Sequence, residues 1–292
     1  KYKNLQIIVF ILCVGALGII SIISLNVAIV QGKIRLNSKI IDEYTLAEEY
    51  YNNKDYGKAK SILKKEINST IDPKKEYDSK ILLGKIYNET GEYIEAINLF
   101  NKMTNSLYLD ERLKYNMAIS YLKSEMPEQA LYYLEQTLTV NSNYIPTLLT
   151  LGQFYMDRNL PRLAKGYYER VLNLEDNDEA MFYVGIIALN EGLQTIAYDT
   201  LNKLVRTSRS EYADKAANIL GDIYVISGDT DSAIEMYLKS LANSKMQSDS
   251  VGRLVRVYQQ TEDYDSIKKV YEQILEQNPY DIETILSLGE LY

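Results

Sequence analysis

The chain has 292 residues, no histidine, no tryptophan and a single cysteine, Cys13, and its 32 bases against 40 acids give a net charge of -8. That set cannot form an intrachain disulfide or a Cys/His zinc site, and it offers no histidine for acid-base catalysis. Residues 1 to 39 hold five of the bases and no acid, leaving 27 bases against 40 acids and a net charge of -13 in residues 40 to 292, which argues against nucleic acid as a partner because phosphate binding needs a concentrated basic surface.

From Leu5 to Val30 the only strongly polar side chains are Gln6, Ser21, Ser24 and Asn26. At about 1.5 Å per residue such a run crosses a hydrocarbon layer of about 30 Å, so residues 5 to 30 are expected to form one transmembrane helix in contact with the lipid bilayer. A cleaved signal would have an apolar core of only about 7 to 15 residues followed by a small-x-small site, and Asn26 and Ala28 are a poor one. Cys13 lies within the run, where a low dielectric disfavours the reactive thiolate. Gly15, Gly18, Ser21 and Ser24 put a small residue at every third position, which would let membrane helices approach closely. Lys1 and Lys3 precede the run, while Lys33, Arg35 and Lys39 follow it, so charge leaves the sidedness open.

A linker, QGKIRLNSK, leads to the repetitive part. In Leu83 to Met103 a small residue (Gly84) is followed by Tyr87, Gly91, Ala96 and Phe100. The spacing returns as Ala47, Tyr50, Ala59, Leu63; Ala118, Tyr121, Ala130, Leu134; Gly152, Tyr155, Ala164, Tyr168; Gly185, Ala188, Ala197, Leu201; Gly221, Tyr224, Ala233, Tyr237; and a worn copy, Val255, Tyr258, Ile267, Tyr271. An eighth copy opens with Gly289. Apolar residues recur at helical spacing on both sides of each turn, as in Leu83, Ile86 and Tyr87 and then Ile94, Ile97 and Phe100, which predicts two short antiparallel helices per repeat. Gly91, Gly192 and Gly228 are expected to close first helices in the left-handed backbone conformation, with Asn159 in the same role. Gly84 and Ala96 would permit a close crossing, with Tyr87 and Phe100 filling the space toward neighbouring repeats. The two small positions are always twelve apart while the period varies, so length variation is expected in the loops, chiefly near Pro73 and Ser208. Val255 and Ile267 predict a wider crossing in the seventh repeat.

These residues resemble the tetratricopeptide repeat, a 34-residue helix-turn-helix unit with small residues at the crossing and an aromatic between them. The resemblance covers about residues 40 to 292, with only Pro279 matching the terminal proline. It implies an all-α fold, a right-handed superhelix or αα-solenoid of seven full repeats and the first helix of an eighth, preceded by the single transmembrane helix; residues 1 to 39 form tail, span and linker. It also implies an inner face built from first helices on which partner proteins lie. By register that face receives Tyr115, Ile119, Leu122, Leu149, Met156, Phe182, Ile186, Leu189, Val225 and Ile226, a partner-binding groove for an amphipathic helix or extended peptide. The competing reading buries several of them between adjacent repeats. Co-chaperones of the family hold a terminal carboxylate with paired Lys and Asn; the equivalent places here are Tyr115 and Ile119, or Leu149 and Gln153, which do not support that mode.

No catalytic residue, metal site or cofactor is expected. The chain lacks a Gly-rich phosphate loop, and Glu175, Asp176, Asp178 and Glu179 lack the Gly and terminal Glu of a calcium loop, so a solvated helix start is the better reading. Ile282, Ile285, Leu286 and Leu288 give the last helix an apolar face without a following helix, where a further helix or another subunit is expected. The sequence therefore points to a single-pass scaffold or adaptor of a protein assembly at a membrane, expected to be the bacterial cytoplasmic (inner) membrane. Rival readings are a recruitment arm for a membrane enzyme whose catalytic domain lies elsewhere, and a self-assembling rod or ring subunit.

Overall fold

The computed structural model of the chain describes residues 42–104, 110–243 and 247–291. The apolar run of residues 5 to 30 and the linker after it lie outside the described residues, among which no helix is long and apolar enough to cross a membrane. The described residues form fifteen α-helices: seven pairs and one more. The pairs are α1 (Glu43–Asn52) with α2 (Tyr56–Ser69), α3 (Pro73–Glu89) with α4 (Tyr93–Met103), α5 (Glu111–Lys123) with α6 (Pro127–Val140), and α7 (Ile145–Asp157) with α8 (Pro161–Leu172). They continue with α9 (Asp178–Asn190) and α10 (Gln194–Thr207), α11 (Glu211–Ser227) and α12 (Thr230–Asn243), and α13 (Gln247–Gln260) and α14 (Tyr264–Gln277); α15 (Ile282–Gly289) is the fifteenth. The chain divides into two compact units, the first ending at Tyr133 and the second beginning at Leu134, inside α6.

The turn between paired helices is set by one backbone conformation. Seven residues after each small position the chain takes a positive φ: Gly91 (81°), Gly192 (75°), Gly228 (82°) and Asn159 (57°), as expected, and also Lys54 (60°), Glu125 (59°) and Glu262 (58°). The last three place side chains in a region that costs an L-residue about 1–2 kcal/mol. The turn geometry therefore persists where the sequence does not favour it.

The crossing is tighter than the spacing alone predicts, and its partner is different. A Cβ added to Gly84 would lie 2.1 Å from Cζ of Phe100, and one on Gly152 would lie 2.6 Å from Cζ of Tyr168. The same holds for Gly185 against Leu201 (2.6 Å) and Gly221 against Tyr237 (2.4 Å). Phe100 does reach the next repeat, sharing a cluster with Leu113 and Met117, but its ring lies on the glycine of its own repeat, sixteen residues earlier. Ala47 and Leu63 occupy the same two places in the first repeat and are both fully buried. In the seventh repeat Ile267 is fully buried and Val255 nearly so, while Tyr271 is only half-buried. The branched Val255 stands where the other six repeats have Gly or Ala.

The variable period is absorbed in helices, correcting the expectation that it lies in the loops. Helices α3 and α11 have 17 residues where α5, α7 and α9 have 13, an extra turn at the start of each. Asp72 fixes the start of α3 by accepting from the backbone N–H of Lys74 (2.9 Å) and Lys75 (3.4 Å), with Pro73 in the first turn, where its missing N–H costs nothing.

Several faces between consecutive repeats carry polar groups. Glu66, almost fully buried, accepts from Ser79 (3.5 Å) and pairs with Lys75 (2.5 Å), which also meets Asp42 (2.5 Å). In the second unit Ser240 and Ser250 hydroxyls lie 2.8 Å apart, and Asn218 Nδ2 donates to Ser250 at 3.0 Å. Between them the corresponding places hold Met103 and Leu113, Val171 and Ala180, or Leu204 and Ala216, all buried and apolar, and in one case the buried hydroxyl residues Thr137 and Thr147.

Candidate protein-binding face

By register the ten candidate residues lie on first helices, α5 in the first unit and α7, α9 and α11 in the second. In the first unit Tyr115, Ile119 and Leu122 project from α5 and are half-buried. Polar groups surround them. Arg112 bridges Asp78 (2.7 Å) and Asp110 (2.6 Å), and Lys123 reaches Glu89 (3.1 Å). Lys85 is half-buried, and desolvation first, then the Arg112 charge, lowers its pKa against the opposing pull of Glu48. Asn88 is buried with no hydrogen-bond partner on either side-chain atom.

In the second unit the other seven residues of the set range from packed to exposed. Leu149 and Met156 pack against the cluster of Leu148, Ala164 and Tyr168. Phe182 packs beside Met181, Leu201 and Leu220, with ring centroids 5.3 Å from Tyr183 and 5.7 Å from Tyr212. Ile186 and Leu189 are half-buried. Val225 and Ile226, in the last turn of α11, are exposed, 37% and 86% respectively. Register thus put these residues on first helices, and packing between consecutive pairs decides how much of each remains accessible.

Leu189 and Ile226 line a concavity of about 570 Å³ with Gln194, Thr195, Tyr198, Ile223 and Ser227. Its walls come from the ends of α9 and α11 and the start of α10. Tyr198 and Tyr224 hydroxyls meet at 2.6 Å. That hydrogen bond, followed by desolvation, pushes the Tyr224 pKa up to about 12, with Asp229 and Glu235 adding to it. The family register points to first helices alone and so leaves out the α10 residues; Tyr198, thirteen after Gly185, carries no signal that separates it from other second-helix tyrosines.

Toward the starts of α9 and α11, away from the concavity's lining, Tyr168 and Tyr183 stack at 5.0 Å, and Tyr212 meets Tyr183 at 6.3 Å. The hydroxyl of Tyr168 is buried without a partner. Glu179 lies among these rings, and burial raises its carboxyl pKa against the lowering effect of a Tyr212 hydrogen bond. The acid cluster does not converge on one point: Asp176 pairs with Lys203 (2.8 Å), Asp178 accepts from Ser208, and Glu179 turns to Tyr212. At the end of the chain Ile282, Ile285 and Leu286 of α15 are exposed.

The tetratricopeptide repeat model matches residues 214–244 and 248–281, which are the sixth repeat and the worn seventh in the register read from the crossing. Tetratricopeptide repeat protein 8 of Caenorhabditis elegans is 25% identical over 198 residues, 65% of this chain, which spans 38% of that relative's length. PilF of Pseudomonas aeruginosa superposes with a TM-score of 0.58 at 17% identity, over 75% of this chain and 99% of that one. The C-terminal part of a repeat-containing protein from Cytophaga hutchinsonii gives 0.54 at 14% identity, over 84% of this chain and 99% of that one. At these identities the likeness to both structures is one of fold. Residues 214–244 and 248–281 thus match the tetratricopeptide repeat, and the other helix pairs share its fold.

Proposed function

We propose that this protein is a scaffold that holds partner proteins on the first-helix face of its repeats, tethered to a membrane by residues 5 to 30. The observation that carries the reading is the apolar concavity of the second unit, where Ile226 is 86% exposed and Leu189 stands beside it. An accessible apolar surface of this kind marks an interaction site in a chain otherwise rich in surface charge. Tyr115, Ile119 and Leu122 serve as a second contact region in the first unit, and Leu149, Met156, Phe182 and Ile186 support the face from partly buried positions. The tether rests on the length and apolarity of the run from Leu5 to Val30, and a bacterial cytoplasmic membrane is its proposed location. No reaction is assigned to the chain.

Crosslinking in native membranes, read by mass spectrometry, tests this. Foreign peptides linked next to Leu189 and Ile226 are expected in the parent chain and lost when Val225 and Ile226 are both replaced by Asp. These two are the cleaner probes, since Asp at Phe182 would break its packing with Tyr183 and Tyr212. Capture that persists unchanged in the double variant refutes the assignment of the face, and recovery in the soluble fraction refutes the tether.

A further inference from the structure

The geometry points to a specific chemistry for the occupant of the α9–α10–α11 concavity: a segment that inserts one bulky aliphatic or aromatic side chain and flanks it with lysine or arginine. The inference deepens the scaffold reading and rests on it.

Shape comes first. Leu189, Ile223 and Ile226 give apolar walls, and the volume of about 570 Å³ exceeds what one side chain fills. It admits an anchor with part of its backbone, and small sites of this kind are apolar with a few oriented polar groups. Those groups are present. Gln194, Thr195, Tyr198 and Ser227 stand among the lining residues, so main-chain amides beside the anchor have donors and acceptors to meet.

Charge then selects the flanks. No charged side chain lines the concavity itself, so the charges that matter stand around it. The carboxylates of Asp229 and Glu235 act on Tyr224, the hydrogen-bond partner of the lining Tyr198. Glu235 is partly answered by Lys239 at 2.7 Å. Asp229 accepts the backbone N–H of Ser232 at 3.1 Å at the start of α12, where the helix N-terminus offsets part of its charge and leaves the rest facing solvent. Glu191, two residues beyond Leu189, is held by Lys165 at 2.8 Å. Residues 40 to 292 carry a net charge of -13, so the wider field also favours a cationic ligand, and such complementarity acts on encounter rate and on choice of partner. An acidic anchor segment would meet like charge at this rim and is selected against.

The test uses the full chain and two probes: an amphipathic 14-residue peptide of leucine and lysine, and its leucine-glutamate counterpart. Fluorescence anisotropy at physiological salt is expected to show the lysine peptide binding at least about tenfold more tightly, with Ile226→Ser weakening it about tenfold, as loss of a central anchor contact does. Ile71→Ser, at a 99% exposed position in the first unit, is expected to leave binding unchanged and separates the pocket from general attraction to an acidic surface. Equal binding of the two peptides, binding of neither, or an Ile226→Ser protein that binds as tightly as the parent overturns the inference. A natural partner crosslinked elsewhere on the first-helix face also overturns it while leaving the scaffold reading intact.

Discussion

Replacing Gly84 by Ala tests the crossing directly. The new Cβ would lie 2.1 Å from Cζ of Phe100, against about 3.5–4.0 Å for an ordinary carbon contact. The ring cannot swing aside, because Phe100 is fully buried among Tyr77, Ile81, Met103, Leu113 and Met117. Relief must come from separating α3 and α4, the overpacking case, which costs about 1–3 kcal/mol and sits here at the upper end. Alanine returns about 1 kcal/mol of helix propensity, so a net loss of about 2 kcal/mol is expected. Two further Gly→Ala changes separate the causes. Gly91→Ala meets nothing within 4 Å but has φ 81°, and should lose about 1–2 kcal/mol through the backbone alone. Gly166→Ala, in the middle of α8 with open space around it, should gain up to about 1 kcal/mol. The double variant Gly84→Ala/Phe100→Leu copies the Ala47 and Leu63 arrangement and should recover most of the first loss. Urea unfolding gives the totals, and native-state hydrogen exchange of α3 and α4 localises them, since stacked repeats can open piecemeal. A Gly84→Ala protein as stable as Gly166→Ala, or a double variant no better than the single, would refute the ring-on-glycine account.

Three other perturbations follow from the same coordinates. Gly at Lys54, Glu125 or Glu262, where φ is near 60°, removes backbone strain at some cost in unfolded-state entropy; each should raise the urea midpoint by the equivalent of about 0.5–1 kcal/mol. Glu179→Gln should be neutral to stabilising at pH 7: burial raises the folded-state pKa of this carboxyl, so its penalty is present above that pKa and vanishes as pH falls below the unfolded value. A gain equally large at pH 7 and in acid would contradict the assignment. Lys75→Met strands Glu66, whose side chain is 3% exposed, and should cost about 2 kcal/mol, below the range for a fully buried pair because Lys75 is partly solvated. Adding Glu66→Gln should restore part of it in a thermal melt.

Most of the pairing was legible because the crossing makes a local demand: every small residue of the twelve-residue spacing, from Ala47 to Ala233, is buried. Gly91, Gly192, Gly228 and Asn159 announced their turns, whereas Lys54, Glu125 and Glu262 did not, since there the surrounding repeat imposes the conformation against local preference. The longer α3 could have been found from Asp72 and Pro73, a cap followed by the residue best suited to a first turn. The candidate face was legible only in register. Whether Phe182 is packed and Ile226 free depends on which rings the next pair brings over, and a periodic pattern within one repeat does not contain that information.

Matching ring to glycine has a consequence for how such an array can change. Phe100 set over Ala47 would bring a ring against a methyl group where Gly84 offers none, because the halves of a pair are cut to fit each other. Duplication or exchange of whole pairs preserves the fit, whereas recombination inside a pair destroys it. The inheritable unit of this molecule is accordingly the glued couple of helices, and its history is expected to be written in insertions and losses of that length.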